Sequence, residues 1–377
     1  MGPKRAAGGP EPRFRGFSRG SAARGKQTIL VPGRLEFVVS GADVSLVNGL
    51  RRAILTDVPT VSFRFDATDP DAQDVQVMHN TCNLHNEFVG ERLGLVPLHL
   101  TKKEMLDYKP SSWRFELDVS NRGSRPLDVT TADIQVVPVD AEEAPPGRDK
   151  LFPANPASGR HPLLVVLMPA KHGVVQRLAL EATSSFGTGE LHARYSPVSV
   201  CAFAPVPDEE EVARQRKAAA DKASFDALDA KRIVRRDGRG DPAAFSFFLE
   251  SQCGMTPEEI VESGLEALAA RMRTLADDSD GPRVTEVPPQ TDSPADIRSL
   301  KLDGESETAG ALVQAELLGG GLTDFAGYFV PHQLERSIVC RMRVFAGSEP
   351  RAMLRAACEA AANKVEDLLA EFREAAF

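Results

Sequence analysis

The chain has 377 residues, 42% hydrophobic and 26% charged, which gives room for two or three domains of ordinary soluble globular composition. No run of 18 apolar residues offers a membrane span, and the N-terminus lacks the apolar core of a signal peptide, so an intracellular protein is expected. Five scattered cysteines (Cys82, Cys201, Cys253, Cys340 and Cys358) exclude a disulfide framework and a CxxC zinc site, and a net charge of −9 excludes general DNA coating.

Residues 1–26 hold seven Lys or Arg against one acid, Glu11, with frequent Gly and Pro. That composition predicts a disordered basic tail, which can serve as a nucleic-acid contact, an import patch or a plain solubilising segment. Gln27 to Ser40 reads as a strand or hairpin broken at Pro32-Gly33. Asp43 to Thr60, DVSLVNGLRRAILTDVPT, is the clearest element of the chain. Leu46, Leu50, Ala53, Ile54 and Val58 recur at helical spacing on one face. Asp43 or Ser45 caps the start and Pro59 ends it. Arg51 and Arg52 stand about 100° apart on the wheel, so at least one leaves the buried stripe. Read blandly, they are a solvated pair; read sharply, one docks a partner.

Val61 to Asp66 alternates as a strand. In Asn83 to Leu98, NLHNEFVGERLGLVPL, the proximity of His85, Glu87 and Glu91 suggests a metal site, but a zincin helix needs two His and one is present. Trp113–Val119, Leu127–Val139, Leu163–Met168 and Val174–Thr183 are strand-like. Gly187, Gly189 and His192 fall in a turn before Pro197. No G-x-G-x-x-G opens a helix there, and His192 has no evident partner for general base chemistry. After a strand at Val198–Phe203, residues 208–239 form a charged, Ala-rich surface helix and loop. Ala244–Leu249 is a strand. Thr256 and Glu259 then form a capping box for a helix striped with Ile260, Leu265, Leu268, Met272 and Leu275.

Asp277 to Pro294 is acidic and Pro-rich, a linker by composition. Beyond it the pattern restarts. A strand (Ile297–Leu302) and a helix (Thr308–Leu318, with Leu312 and Leu317) precede a second strand (Ser337–Phe345). A long helix, Pro350–Phe372, follows, striped by Leu354, Ala357, Ala361, Val365, Leu368 and Phe372.

Five of these motifs carry a resemblance. S-L-x-N-x-L-R-R-x-x-L-x-x-x-P-T at 45–60 resembles the signature helix of the alpha-like assembly subunits of multisubunit DNA-directed RNA polymerases, such as the third-largest eukaryotic subunit and its archaeal D-type counterpart. Glu87, Phe88, Arg92, Leu93, Gly94, Leu95, Pro97 and Leu98 resemble the D-E-F-x-x-x-R-L-G-L-x-P-L segment of the same subunits. Gly187, Gly189, His192, Ala193, Tyr195 and Pro197 resemble their G-x-G-x-x-H-A-x-[YW]-x-P turn, and residues 245–272 resemble their last strand and long helix. Ala315 to Leu318, then Phe325 to Tyr328 and Val330 to His332, resemble the small partner, the eleventh eukaryotic subunit or its archaeal L-type counterpart. Gln333 replaces that partner's proline, and Glu307 to Ala311 departs from its H-T-L-G-N.

The resemblance implies an α+β fold with two dimerisation modules paired within one chain. The first spans 27–63 and 177–277 and is interrupted by a β-rich insert at 64–176; 278–294 links it to a second at 295–377. The apolar stripes imply the pairing surface: Leu46, Leu50, Ile54, Ile260, Leu265, Leu268, Met272, Leu312, Leu317, Leu354, Ala361, Val365, Leu368 and Phe372. The implied function is a non-catalytic scaffold that docks the second-largest and then the largest polymerase subunit, together with small subunits, without homodimerising. Asn48, Arg51, Arg52, Glu87, Phe88, Arg92, Leu93 and Gly94 are the residues it implies at the second-largest subunit. Some relatives carry zinc or an iron–sulfur cluster in the insert. No cysteine lies between Asn83 and Val200, so neither cofactor is expected. Two halves on one chain resemble the arrangement in some large nucleocytoplasmic DNA viruses, which would place the protein in the virion and in host cytoplasm or nucleus. The alternatives are a self-contained enzyme using the His85 cluster or His192, and a nucleic-acid-binding protein acting through the basic tail.

Overall fold

A computed structural model describes residues 13–24, 27–66, 73–139, 146–170, 173–288, 294, 296–345 and 347–376. Strand β1 (Arg13–Arg24) pairs antiparallel with β2 (Gln27–Ser40). The expected disordered tail is therefore corrected for residues 13–24; residues 1–12, 25 and 26 lie outside the described set. The reason is aromatic burial. Phe14 sits 5.5 Å from the Phe37 ring and 5.0 Å from Phe372, and Phe17 stacks at 5.6 Å on Phe37. β2 is one strand from Gln27 to Ser40, but its ladder to β1 is interrupted at Pro32-Gly33 as expected: the partner of Arg19 is Leu35 and that of Ser21 is Leu30, with Gly33 taking a φ of 78°.

Helix α1 (Val44–Thr56) is capped by Asp43, whose Oδ1 accepts from the Ser45 and Leu46 amides at 2.8 and 3.2 Å. Strand β3 (Pro59–Ser62) is shorter than the expected 61–66: Phe63 and Phe65 are buried but leave the ladder. The insert then adds β4 (Val75–Asn80), α2 (Asn86–Gly94), α3 (Lys102–Asp107), β5 (Trp113–Asn121), β6 (Leu127–Thr130), β7 (Gln135–Pro138), α4 (Arg148–Leu151), β8 (Leu163–Leu167) and β9 (Gln176–Ala182). The expected strand at 127–139 is two strands parted by a 3-10 turn at Thr131–Asp133. Strand order is β4-β9-β5-β7, with β6 and β8 as a separate pair. β9 lies inside the insert, which moves its expected end at 176 to the close of that strand. Leu178, Leu180 and Ala182 alternate into a core with Phe63, Phe115, Leu117 and Phe152.

The chain returns through β10 (Ser185–Thr188), antiparallel to β3, and β11 (Val198–Pro205). A surface lobe with α5 (Glu209–Ala218) and α6 (Lys222–Ser224) precedes β12 (Ala244–Ser251) and α7 (Pro257–Asp277). The Thr256–Glu259 capping box is present at the start of α7. The first sheet is β1-β2-β12-β11. The expected linker contains a further strand, β13 (Val284–Val287), on the edge of a second sheet; residues 289–293 lie outside the described set. Strand β14 (Ile297–Asp303), helix α8 (Glu307–Gly319), β15 (Ala326–Phe329), β16 (Ser337–Arg343) and α9 (Pro350–Ala376) complete it in the order β13-β14-β16-β15. Ser306 stands at the N-cap of α8 without a side-chain cap bond, at the place where the motif lacks its usual His and Asn. Among the described residues no helix is long and apolar enough to cross a membrane.

The two sheets carry the same plan. β2 pairs with β12 and β14 with β16, each strand pair embracing one short helix and followed by one long helix. All fourteen stripe residues named above lie in a single core shared by α1, α7, α8 and α9, from Leu46 at 3% exposure to Phe372 at 0%. α7 packs on α9, and α1 on both α7 and α8. Glycines set the spacing. A Cβ on Gly264 of α7 would lie 2.6 Å from Ile54 Cγ1, and one on Gly49 would lie 3.3 Å from Leu268 Cδ2.

Ion pairs edge this core. Arg273 binds Glu366 at 2.7 Å, and Arg373 binds Glu262 and Glu266, each at 2.7 Å. Arg271 reaches Asp57 at 3.4 Å and the buried Glu305 at 2.9 Å. Lys102 of α3 holds Glu262 and Glu266 at 2.9 Å, tying the insert to α7. Burial opposes the charge on Glu262. Its hydrogen bonds from Lys102 and Arg373 prevail and hold its pKa below the ordinary glutamate value.

Two substitutions test this packing by denaturant unfolding. Leu268→Asp puts an unpaired charge at a site of 0% exposure and is expected to cost on the order of 3–5 kcal/mol. Gly264→Ala sets two effects against each other: a helix-propensity gain of about 1 kcal/mol and an overpacking cost of about 1–3 kcal/mol. The 2.6 Å contact decides for a net loss of stability. A gain in midpoint would show that the two helices do not meet this closely.

Candidate docking interface

Two segments resembling polymerase contacts, α1 and α2, flank the turn that follows β10. On α1, Leu46, Leu50 and Ile54 face the core, which leaves Asn48, Arg51 and Arg52 half-buried at its edge. Arg51 Nε donates to Asn48 Oδ1 at 3.0 Å, so those two side chains hold each other. Among the described residues no hydrogen bond or ion pair engages the Arg52 guanidinium; only its carbonyl is used, by Thr56 Oγ1 at 2.8 Å. Arg52 is thus the charged group on α1 available to a partner's carboxylate. Cys201 packs beneath, its thiol 3.9 Å from the Arg51 carbonyl. Burial pushes that thiol up to about 12 against a weaker pull from Arg51, which keeps it protonated and inert.

On the insert, the Glu87–Leu98 segment begins in a helix, α2. Asn80 Nδ2 donates to the Leu84 carbonyl and to Asn86 Oδ1, both at 2.8 Å, and fixes its start. Glu87 and Phe88 point outward; Phe88 is 59% and Leu95 60% exposed. Three of the residues implied at the partner have other work. Leu93 and Gly94 are buried, Leu93 in the core of the insert. Arg92 donates from Nε to the Leu164 carbonyl at 2.6 Å and from Nη2 to the Leu163 carbonyl at 2.7 Å, pinning α2 to β8. Leu93 and Gly94 are corrected from contact residues to residues that position the helix, and Arg92, though exposed, also positions it. An apolar side chain and a glycine facing the core present no surface, and the Arg92 fork is spent on main-chain acceptors.

The turn after β10 locks both helices. Gly189 lies so close to α1 that a Cβ there would be 1.9 Å from the Leu55 carbonyl, and the Glu190 amide donates to the Thr56 carbonyl at 3.0 Å. Tyr195 is buried, with its hydroxyl 2.8 Å from Ser185 Oγ and its carbonyl accepting from Thr60 Oγ1 at 2.6 Å. His192 does have a partner, Arg194, whose amide and Nε approach His192 Nδ1 at 3.1 and 3.0 Å. That occupies the ring nitrogen a general base would need. Of the His85, Glu87 and Glu91 trio, Glu91 faces Arg194 at 3.2 Å, and among the described residues no His, Cys, Asp or Glu group is arranged to hold a metal ion. Nothing in the sequence singles out Arg194. It occupies a variable place in the turn motif, and its acceptors include main-chain atoms far off in the chain.

The chain matches two family models of the RNA polymerase Rpb3/Rpb11 dimerisation domain, one over residues 36–272 and the other over 298–371. Among curated relatives, a conjugation stage-specific protein of Tetrahymena thermophila is 25% identical over 46% of this chain and 57% of its own length. DNA-directed RNA polymerase II subunit rpb3 of Dictyostelium discoideum is 26% identical over 44% of this chain and 52% of its own length. DNA-directed RNA polymerase subunit Rpo3 of Thermococcus kodakarensis is 25% identical over 63% of this chain and 90% of its own length. The chain thus spans little more than half of the first two relatives and nearly all of the third. With the 36–272 match alone covering well over half of the sequence, the chain belongs to the RNA polymerase Rpb3/Rpb11 dimerisation-domain family.

Proposed function

We propose that the chain is a non-catalytic assembly subunit of a DNA-directed RNA polymerase, carrying both members of the assembly pair as one intramolecular pseudo-heterodimer. The observation that carries this reading is the common core of α1, α7, α8 and α9, two helices from each of the two family matches. A linker holds such modules at an effective concentration on the order of millimolar, so the pair forms without a second chain. Homodimerisation is then unnecessary, because the surface it would use is filled from within.

In this reading α1 and α2 face the second-largest subunit, and the largest joins afterwards. Arg52 supplies a planar fork for a carboxylate, while Phe88 and Leu95 supply apolar area beside it. The nucleotidyl transfer belongs to the large subunits, and the scaffold needs no zinc or iron–sulfur cluster. The placing of both modules on one chain supports a fusion of the kind found in large nucleocytoplasmic DNA viruses, acting inside the host cell.

Affinity purification of the tagged chain from its native cell is expected to bring down two very large polymerase subunits in near-equal amounts. Recovery of the chain alone in low salt would overturn the reading. Within that assay, Arg52→Ala is expected to lower recovery of the second-largest subunit by roughly tenfold, as for loss of a charge-assisted hydrogen bond. Its melting temperature should match wild type. Arg51→Ala should do less, since Arg51 is occupied by Asn48. Equal recovery from Arg52→Ala would remove Arg52 from the interface.

A further inference from the structure

Arg194 is the most enclosed charged side chain near the docking face. Its side chain is 2% exposed, yet its donors are matched by acceptors from three separate segments. Nη1 donates to the Phe63 carbonyl at 2.8 Å and Nη2 to the Phe65 carbonyl at 3.0 Å. Nη2 also meets both Glu91 carboxylate oxygens, at 3.2 and 3.3 Å, and Nε meets His192 Nδ1 at 3.0 Å. Phe63 and Phe65 lie where the chain leaves the first dimerisation module for the insert. Arg194 and His192 lie just after it returns. Glu91 is on α2. Both crossings of the module boundary and the docking helix therefore meet at one guanidinium.

Gly94 makes the arrangement possible. A Cβ at that position would lie 2.4 Å from Arg194 Nη1 and 2.8 Å from the Phe63 carbonyl, so no other residue leaves the path open. Glu91 is the anionic partner, and a buried guanidinium without it would carry the desolvation penalty uncompensated. The contact is thus directional. It holds α2 in one orientation on the first module, whereas an apolar contact of the same size would allow it to slide.

We propose that Arg194 is a positioning residue: a latch that fixes α2, with Phe88 and Leu95, relative to Arg52 on α1, so that the two helices present one composite docking surface. The consequence for docking rests on the assembly reading above; the latch itself does not. Arg92, bonded to β8, holds the other side of α2 to the body of the insert. Releasing Arg194 therefore loosens α2 at the module boundary without unravelling the insert, while Ser62 Oγ, donating to the Gly94 carbonyl at 2.7 Å, and Lys102, bonded to Glu262 and Glu266 of α7, still tie the insert to the first module.

The test is hydrogen–deuterium exchange of the full chain, comparing wild type with Arg194→Met and Arg194→Lys, followed by co-purification of polymerase subunits from the native cell. Arg194→Met is expected to speed exchange of the 86–94 and 63–66 amides about tenfold or more, with α7 and α9 as protected as in wild type. Arg194→Lys keeps the charge opposite Glu91 but loses the fork, and should give the same local pattern at smaller size. It carries the test if the Met variant does not fold. Unchanged exchange at 86–94, or equal loosening of α7 and α9, would overturn the latch. Local loosening with undiminished recovery of the large subunits would overturn its role in docking. If wild type itself recovers no large subunits while the local exchange pattern holds, the assembly reading fails and the latch stands.

Discussion

Everything in this molecule depends on the burial of four helix faces against one another. Neither module can cover its own helices. α7 shields its stripe on α9, and α1 fits between α7 and α8, at a spacing that only Gly49 and Gly264 allow. The hydrophobic effect supplies the drive and is indifferent to partner identity. Register comes from the edges: Arg273 to Glu366, Arg373 to Glu262 and Glu266, and Arg271 to the buried Glu305 each join one module to the other. Exposed pairs of this kind contribute little individually, but a misaligned pairing would separate the buried Glu305 from Arg271, leaving each with one remaining partner, Arg283 and Asp57 respectively. The apolar core thus sets the affinity of the two halves, and the charged edge sets which alignment is allowed.

The outer elements reinforce that pairing from both ends of the chain. β1 belongs to the first sheet, yet Phe14 and Phe17 reach Phe372 near the end of α9, and Arg19 binds Glu258 on α7. β13 opens the second sheet, with Val284 buried in the shared core, and Arg351 of α9 donates to the Val284 carbonyl at 2.7 Å. The segments whose composition reads as tail and linker therefore contribute to the core.

That contrast explains what is legible in the sequence. Helices with a long apolar stripe can be read because periodicity is local: α7 and α9 are located nearly to their ends, and all fourteen stripe residues point inward. β1 and β13 are not legible, since each is a strand only through what it pairs with. Arg- and Gly-rich β1 has two buried or half-buried phenylalanines, and their partner Phe372 lies at the far end of the sequence. At the proposed docking face, the motif marks the stretches that form α1 and α2 but does not separate residues that touch solvent from those that hold the helix. Leu93 and Gly94 belong to the motif for internal reasons and Arg92 is exposed yet bonded to the β8 main chain, while Glu87, Phe88 and Leu95 present surface.

The insert makes the relation between stability and docking a division of labour. The four-helix core draws little on the insert: Lys102 reaches Glu262 and Glu266 of α7, and Gly254, just before α7, packs against the Leu100 main chain. Orientation is concentrated in the turn after β10, where Gly187 and Gly189 let Tyr195 and α1 approach and Arg194 gathers its acceptors. A fold built this way can lose the geometry of its docking face while keeping its core, since the two draw on different residues. The glycines of the motif follow from the same constraint: they stand where backbone and side chain from separate elements must pass within a few ångströms.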